Sequence, residues 1–254
     1  MKTAVYDSLL SVRNERGGGF IVLVDPDKLS IDRLRTRIPI FESAGIDALF
    51  VGGSLMHASE VDQYVGELQE ITTLPIIGFP GSVSQISPKL DAVLFLSVIS
   101  GRNPDMLFGQ HVHAAPMIRR FGLETIATGY MLVESGRLTS AQYMNHSLPL
   151  PRTKPQLAAA TGLAAEMMGM KLLFADAGSG AEYSVTEEMI AAIVSASSLP
   201  LIVGGGLTAP EEVRSRVDAG ASFIVVGTAL ESSVDPGRLE ELVAAAHVAQ
   251  PHAF

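Results

Sequence analysis

Short, continuously apolar segments alternate with longer stretches of helical periodicity along the chain, and this alternation restricts the possible folds more than any other feature. The apolar segments lack the polar–apolar alternation of a half-exposed strand, so they are typical of strands buried on both faces of a parallel sheet. The eight predicted strands are Phe20–Val24, Ala48–Val51, Pro75–Phe79, Ala92–Val98, Glu124–Val133, Lys171–Ala175, Pro200–Val203 and Phe223–Val226.

Seven helices are predicted between these strands, and several carry residues typical of helix ends. Ser30 is placed to cap the first of them, and Pro210 and Pro236 stand where a first-turn proline is favourable. Gly45 and Gly122 follow helices, as a left-handed C-terminal cap requires. The predicted helices are Ile31–Ser43, Ala58–Ile71, Pro104–Phe121, Thr153–Met168, Thr186–Ser197, Pro210–Ala219 and Pro236–His247.

Strict alternation of eight strands with helices in 254 residues predicts a closed (β/α)₈ TIM barrel, with residues 1–254 forming one domain. A doubly wound open sheet is the rival fold, but the first strand is followed by Asp25-Pro-Asp-Lys28 rather than a glycine-rich phosphate fingerprint. The link from Phe79 to Ala92 is too short for a full helix and two turns. We therefore expect a loop or extended segment in place of the third helix.

Composition excludes several classes of protein. The net charge of −9 argues against a broad basic face for nucleic acid, and the absence of cysteine excludes disulfides and thiolate metal sites. The start of the chain has no long apolar region, and no apolar run approaches the length of a transmembrane helix. We expect a cytoplasmic protein without stable membrane insertion, whose anionic ligands are held by backbone amides or a metal.

Glycine-rich segments follow the last three predicted strands, where a barrel of this class places its active site and commonly binds phosphate. They read Asp176-Ala-Gly-Ser-Gly180, Val203-Gly-Gly-Gly-Leu207 and Val226-Gly-Thr-Ala-Leu230. Each alone is compatible with an ordinary tight turn. Three at the same barrel end predict a phosphate site, because glycines let free N–H groups approach an anion closely.

Three further positions carry candidate chemistry. Asp25 and Ser54 end neighbouring strands and offer hard oxygen ligands for Mg²⁺, although each could instead serve as a turn or cap residue. Asp176 lies within a glycine-rich loop and is the best candidate for a general base; its structural alternative is a helix cap.

The long connection Glu134–Arg152 is predicted to be a functional lid. The histidines show no metal-ligand spacing, and Lys28 alone is placed for Schiff-base chemistry, which makes an aldolase or isomerase a weak alternative.

Motifs along nearly the whole chain resemble those of the geranylgeranylglyceryl phosphate synthases, the prenyltransferase family that includes PcrB-like proteins. The Asp-Pro-Asp-Lys start resembles the second group of that family. The matching segments, in order, are Val24-Asp-Pro-Asp-Lys28, Val51-Gly-Gly-Ser54, Ile77-Gly-Phe-Pro-Gly-Ser82, Ser100-Gly-Arg-Asn-Pro104, Gly109-Gln-His111, Thr128-Gly-Tyr-Met-Leu132, Ala177-Gly-Ser-Gly-Ala181, Val203-Gly-Gly-Gly206 and Val226-Gly-Thr-Ala229.

The resemblance implies a modified TIM barrel without its third helix, and an enzyme that joins sn-glycerol 1-phosphate to a long prenyl diphosphate, usually geranylgeranyl diphosphate. The products are an ether-lipid precursor and diphosphate. Asp25 and Ser54 would hold Mg²⁺, Asp176 would be the base, and the family forms dimers and hexamers, so a homo-oligomer is expected. The implied glycerol 1-phosphate site comprises Tyr130, Phe174, Ala175, Asp176, Ala177, Gly178, Ser179, Gly180, Gly205, Gly206, Gly227 and Thr228.

The chain departs from the family pattern at the implied base. The family has Tyr-Leu-Glu-Ala-Gly-Ser-Gly where this chain has Phe174-Ala-Asp-Ala-Gly-Ser-Gly180, so a tyrosine hydroxyl is lost and the carboxylate is one methylene shorter. A misplacement of about 1 Å can cost on the order of 100-fold in rate. A catalytically weakened homologue that binds glycerol phosphate or another phosphometabolite is therefore the alternative function.

Overall fold

The computed structural model describes residues 4–57, 60–231 and 234–248. Eight parallel strands pair in sequence order and close through β1 and β8 into a barrel, which confirms the predicted fold. No strand end differs from the sequence prediction by more than one residue. The strands are β1 Gly19–Val24, β2 Ala48–Val51, β3 Ile76–Gly78, β4 Ala92–Val98, β5 Glu124–Leu132, β6 Leu172–Asp176, β7 Leu201–Gly204 and β8 Phe223–Val226.

Helices cover the outside of the barrel within the described residues. The predicted caps are confirmed: the Ser30 hydroxyl accepts from the N–H of Arg33, and Gly45 and Gly122 are left-handed, with φ of +86° and +69°. The described helices are α1 Ala4–Arg16, α2 Ile31–Ala44, α3 Val61–Gln69, α4 Gln110–Phe121, α5 Ser140–Asn145, α6 Pro155–Met167, α7 Glu187–Ala196, α8 Pro210–Asp218 and α9 Pro236–Ala246.

The largest departures from the predicted helix boundaries are at the starts of two helices. The helix predicted from Pro104 begins with a single π-helical turn, Asp105–Gly109, before α4 starts at Gln110. The predicted start of the second helix, Ala58, lies outside the described residues, and α3 begins at Val61. The link between β3 and β4 holds only the 3₁₀ turn Val83–Gln85, so the expected loss of the third helix is confirmed.

The sequence analysis missed two helices: α5, which lies within the connection Glu134–Arg152, and α1, which packs against the barrel end opposite the glycine-rich loops. The first turn of α1 is fixed by the buried Glu124 carboxylate, which accepts from the N–H groups of Val5 (2.9 Å) and Tyr6 (2.8 Å). An acidic group at a helix N-terminus satisfies free N–H donors and complements the helix dipole. Leu9 alone of the helix is buried, so α1 carries little hydrophobic periodicity to predict it.

Two apolar layers follow from the alternating directions of strand side chains. The inner layer fills the barrel with side chains such as Ile21, Phe50 and Phe174, while the outer layer packs the strands against the helices. On β6, Phe174 belongs to the inner layer and Ala175 to the outer one, as does Ala177 just after the strand. This alternation decides which β6 side chains reach the site. No helix of the described residues has the length and hydropathy needed to cross a membrane.

Candidate active site

A cavity of about 650 Å³ opens at the carboxyl ends of the strands. The loops after β1, β2, β3, β6, β7 and β8 line its polar part, where Asp25, Ser54 and Asp176 lie. A second, apolar branch extends toward β4 and α4 and is lined by residues such as Phe95, Met106 and Ala114. The site thus combines a polar end with an apolar extension, as a ligand with an anionic head and a hydrocarbon tail requires.

Asp176 lies at the floor of the polar part, at the end of β6. Its Oδ2 accepts from the Tyr130 hydroxyl at 2.5 Å, and its Oδ1 accepts from the N–H of Gly178 at 2.7 Å. Burial raises the pKa of Asp176 above the ordinary aspartate value of 3.8, and these two hydrogen bonds oppose the rise. Burial and the neighbouring carboxylate also raise the pKa of Tyr130, so its hydroxyl stays protonated and donates.

An aromatic cluster supports this pair from below. The ring of Phe174 stacks on Phe79, with centroids 5.2 Å apart, and meets Tyr130 edge-on at 5.4 Å. Phe174 is fully buried, so the residue that replaces the family tyrosine fills the floor and has no hydroxyl to offer a substrate. Tyr130 is left as the hydroxyl that contacts Asp176.

The glycine-rich loops after β6 and β7 touch each other at their backbones. Gly205 has φ of +84°, and a Cβ there would lie 2.6 Å from the Gly178 nitrogen and 2.9 Å from Asp176 Oδ1. Only glycine allows both this conformation and this approach. Ser179 Oγ lies 2.7 Å from Thr228 Oγ1, which connects the β6 loop to the β8 loop.

The predicted phosphate-binding residues are thereby brought together, with two exceptions. Gly178, Ser179, Gly180, Gly205, Gly206, Gly227 and Thr228 all line the polar part of the cavity. Ala175 and Ala177 do not: their side chains are buried in the layer between strands and helices. The Ala177 N–H is bonded to the Gly204 carbonyl, and therefore braces β6 against β7.

Asp25 and Ser54 line the same cavity from β1 and from the loop after β2. The Asp25 carboxylate lies beside Gly53, where a Cβ would stand 3.2 Å from Asp25 Oδ2. Asp25 Oδ2 also lies 3.6 Å from Lys28 Nζ. Burial raises the pKa of Asp25. Lys28 also pairs with Glu231 at 2.9 Å, so Asp25 shares its nearest cation with a second carboxylate.

Asp25 and Ser54 fit a Mg²⁺ ion whose remaining coordination positions are filled by a bound ligand. Within the described residues, no group of three or more His, Asp or Glu side chains could hold a metal alone. Mg²⁺ usually takes one or two protein carboxylates and fills its remaining positions with water and substrate phosphates. The half-buried Asp25 carboxylate, with the Ser54 hydroxyl on the same cavity, agrees with that pattern.

Two residues that organise the site were missed by the sequence analysis. The buried Gln85 amide donates to the Gly53 carbonyl at 2.8 Å and accepts from the Gly81 N–H at 2.9 Å, joining the loops after β2 and β3. The buried Arg37 guanidinium donates to the Leu230 and Glu231 carbonyls and so supports the β8 loop. Neither residue has a local motif. For Gln85 the short crossover between β3 and β4 was a signal, because a loop without a helix needs a side-chain anchor; for Arg37 the sequence carried no such signal.

The histidines differ in their surroundings. His111 is buried beside the apolar branch, and burial lowers its pKa, which keeps the ring neutral at pH 7. Its Nε2 lies 3.2 Å from Ser97 Oγ, and its ring meets Phe95 edge-on at 4.4 Å. His247 pairs with Asp47 at 2.9 Å. His252 lies outside the described residues.

Comparison with known proteins decides the family. A family model described as the PcrB family matches residues 10–246. The chain belongs to the PcrB family. The geranylgeranylglyceryl phosphate synthase of Chitinophaga pinensis is 41% identical over 251 residues, covering 99% of each chain. That of Thermococcus kodakarensis is 38% identical over 247 residues, covering 95% of this chain and 97% of its own.

Solved structures agree with this assignment. The Thermoplasma acidophilum (S)-3-O-geranylgeranylglyceryl phosphate synthase, crystallised with its substrate sn-glycerol 1-phosphate, superimposes with a TM-score of 0.89 at 31% identity, covering 97% of this chain and 99% of its own. An archaeal fructose 1,6-bisphosphate aldolase at 15% identity (TM-score 0.59, covering 96% of this chain and 98% of its own) shares the fold alone. The resemblance read from the sequence motifs is confirmed, and so is the prediction that this PcrB-family chain is an enzyme of the prenyltransferase class.

Proposed function

We propose that this PcrB-family protein transfers a prenyl group from a prenyl diphosphate to the 3-hydroxyl of sn-glycerol 1-phosphate. The hydroxyl oxygen attacks C1 of the prenyl chain, the bond from C1 to the diphosphate oxygen breaks, and the hydroxyl proton passes to a base. The products are an ether-linked prenylglyceryl phosphate and diphosphate. Relatives named for this reaction across nearly the whole chain, and a homologous structure holding sn-glycerol 1-phosphate, support the proposal.

The position of Asp176 carries the assignment of the base. Its carboxylate lies at the cavity floor beneath the glycine-rich loops, and burial raises its pKa, which strengthens it as a proton acceptor. Tyr130 and Gly178 each occupy one site on its two oxygens. A carboxylate offers about four acceptor sites. Asp176 can therefore stay oriented by these bonds and still accept the substrate proton.

The glycine-rich loops would hold the phosphate of glycerol phosphate. Gly205 and Gly206 have positive φ and line the cavity, so no side chain there stands between an anion and the loop backbone. The N–H of Gly178 is already bonded to Asp176 Oδ1. Free backbone amides bind an anion without cationic side chains. The Ser179 and Thr228 hydroxyls, 2.7 Å apart, offer further donors at the same place.

The apolar branch would hold the prenyl tail, and the polar end near Asp25 would hold the diphosphate. Leu96, Met106 and Ala114 line the branch, and nothing charged interrupts it among the described residues. Asp25 and Ser54 would hold Mg²⁺, which when bound neutralises negative charge on the leaving diphosphate. Geranylgeranyl diphosphate is the donor proposed here. We further propose that the enzyme acts in the cytoplasm as a homo-oligomer.

An assay with labelled sn-glycerol 1-phosphate, Mg²⁺ and a series of prenyl diphosphates tests the proposal. Label is expected in the extracted lipid phase, most strongly with the geranylgeranyl donor, and is expected to disappear with chelator. The Asp176→Ala variant should lose product formation, while Arg214→Ala, an exposed change on α8, should keep it. Full activity in Asp176→Ala would overturn the assigned base, and activity in the presence of chelator would overturn the magnesium site.

The second candidate is a homologue that binds glycerol phosphate with little turnover, and the short Asp176 side chain favours it. Binding of sn-glycerol 1-phosphate without labelled lipid, across all donors, is the result expected from this candidate. Asp176→Glu restores the family side chain and should then recover turnover. Turnover by the unmodified chain at ordinary enzyme rates excludes this candidate.

A further inference from the structure

Arg137 belongs to the connection Glu134–Arg152, which the sequence predicts to be a lid and which packs directly on the loop after β6. The Ser135 carbonyl accepts from the N–H groups of Glu182 (3.1 Å) and Tyr183 (3.2 Å). Farther along, the side chain of Thr139 lies 2.9 Å from the position of a Cβ on Gly178. The connection on both sides of Arg137 therefore contacts the β6 loop, through the Ser135 backbone on one side and the Thr139 side chain on the other.

The Arg137 guanidinium lies against Gly180, the last glycine of the β6 loop. A Cβ on Gly180 would collide with Arg137 Nη2, so the guanidinium occupies the space beside that residue. Gly180 itself lines the polar part of the cavity, next to Ser179. The side chain is exposed, and within the described residues its guanidinium makes no salt bridge.

The charges of the cavity explain why such a cation matters. The charged side chains that line it, within the described residues, are one lysine, Lys28, and five carboxylates: Asp25, Asp176, Glu182, Glu212 and Glu231. Lys28 is already paired with Glu231 and Asp25. A phosphate dianion entering beside the β6 loop would meet net negative charge, and only neutral donors, the backbone amides and the Ser179 and Thr228 hydroxyls, would offset it.

We propose that Arg137 is a substrate-binding residue that contacts the phosphate of the glycerol phosphate from the lid. The inference rests on the proposed function and deepens it, because it names a charged side chain for the substrate group that the glycine-rich loops otherwise bind through neutral donors. A guanidinium presents paired N–H donors that match two phosphate oxygens. The guanidinium lies beside Gly180, within reach of the glycine-rich loops that line the polar part of the cavity.

Calorimetric titration of sn-glycerol 1-phosphate into the full chain tests this assignment. The Arg137→Ala variant is expected to bind at least about 10-fold more weakly, because a hydrogen bond to a charged group is lost. Arg137→Lys should recover part of the affinity, since it keeps the charge without the planar fork. Arg119→Ala, an exposed change in the last turn of α4 at the other end of the barrel, is the matched control and should bind like the unmodified chain.

Two further measurements separate a charge contact from a structural effect. Added salt should weaken binding more in the unmodified chain than in Arg137→Ala, because only the former has the cation to screen. In the turnover assay, KM for glycerol phosphate should rise in Arg137→Ala while kcat stays within about threefold and KM for the prenyl diphosphate is unchanged.

The outcomes distinguish this inference from the proposed function. If Arg137→Ala binds glycerol phosphate within twofold of the unmodified chain, the assignment of Arg137 is wrong and the proposed function stands. If the variant affects only the prenyl diphosphate, Arg137 is assigned to the wrong phosphate and the inference is overturned. If the unmodified chain binds no sn-glycerol 1-phosphate, the proposed function fails, and the inference fails with it.

Discussion

Replacing Gly205 with alanine tests how the contact between two glycine-rich loops positions the base. Gly205 has φ of +84°, and its Cβ would stand 2.6 Å from the Gly178 nitrogen and 2.9 Å from both the Gly178 carbonyl oxygen and Asp176 Oδ1. These neighbours are backbone and a buried carboxylate, so they cannot rotate away as the end of a flexible side chain could. The two loops must separate to admit the methyl group.

Gly205→Ala is expected to lower both the stability of the fold and the rate of the reaction. Placing a non-glycine residue in the left-handed region costs about 1–2 kcal/mol. Separating the loops also moves the N–H of Gly178, which holds Asp176 Oδ1 at 2.7 Å. A shift of the base by about 1 Å costs on the order of 100-fold in rate. We therefore expect Gly205→Ala to lower kcat/KM for glycerol phosphate by about 100-fold.

Gly122→Ala is the matched control, because its φ of +69° carries the same backbone cost and its Cβ would meet nothing within 4 Å. It should lower the free energy of unfolding by about 1–2 kcal/mol, or roughly 2–8 °C in Tm, and leave the rate unchanged. The lipid-phase assay at a temperature where both variants are folded measures the difference. Equal rates in the two variants would refute the reasoning.

Three further variants test other contacts. Tyr130→Phe removes a hydrogen bond that lowers the pKa of Asp176, so the pKa rises further and the acid limb of the pH profile of kcat/KM should move to higher pH; an unmoved limb would contradict the pairing. Glu124→Gln leaves one N–H of the first turn of α1 without its carboxylate oxygen, which should cost about 1–3 kcal/mol in a thermal melt without changing kcat at low temperature. Gln85→Ala removes the side-chain bridge between the β2 and β3 loops, so we expect a loss of about 1–3 kcal/mol in stability and a raised KM for the prenyl diphosphate; an unchanged KM would show that these loops do not form the donor site.

The strands and most helices could be predicted because their signals are local. The eight apolar runs identified the barrel strands to within one residue, since strands buried on both faces carry uninterrupted apolar sequence. Helix α1 could not be predicted in this way, because it buries only Leu9. Its anchor is Glu124, which lies 118 residues from Tyr6 in the chain.

In the site, too, features that depend on local sequence could be predicted, and contacts between distant residues could not. The sequence determined the barrel, the three glycine-rich strand ends and the candidate carboxylates Asp25 and Asp176, because each depends on residue type and nearby spacing. Only the tertiary structure decided that Tyr130 bonds Asp176. The register of β5 beside β6 sets Tyr130 opposite Phe174, and side chains that alternate across the sheet then place Phe174 inside the barrel and Ala175 outside it. Contacts between residues distant in sequence arise only when the barrel closes, and no local pattern encodes them.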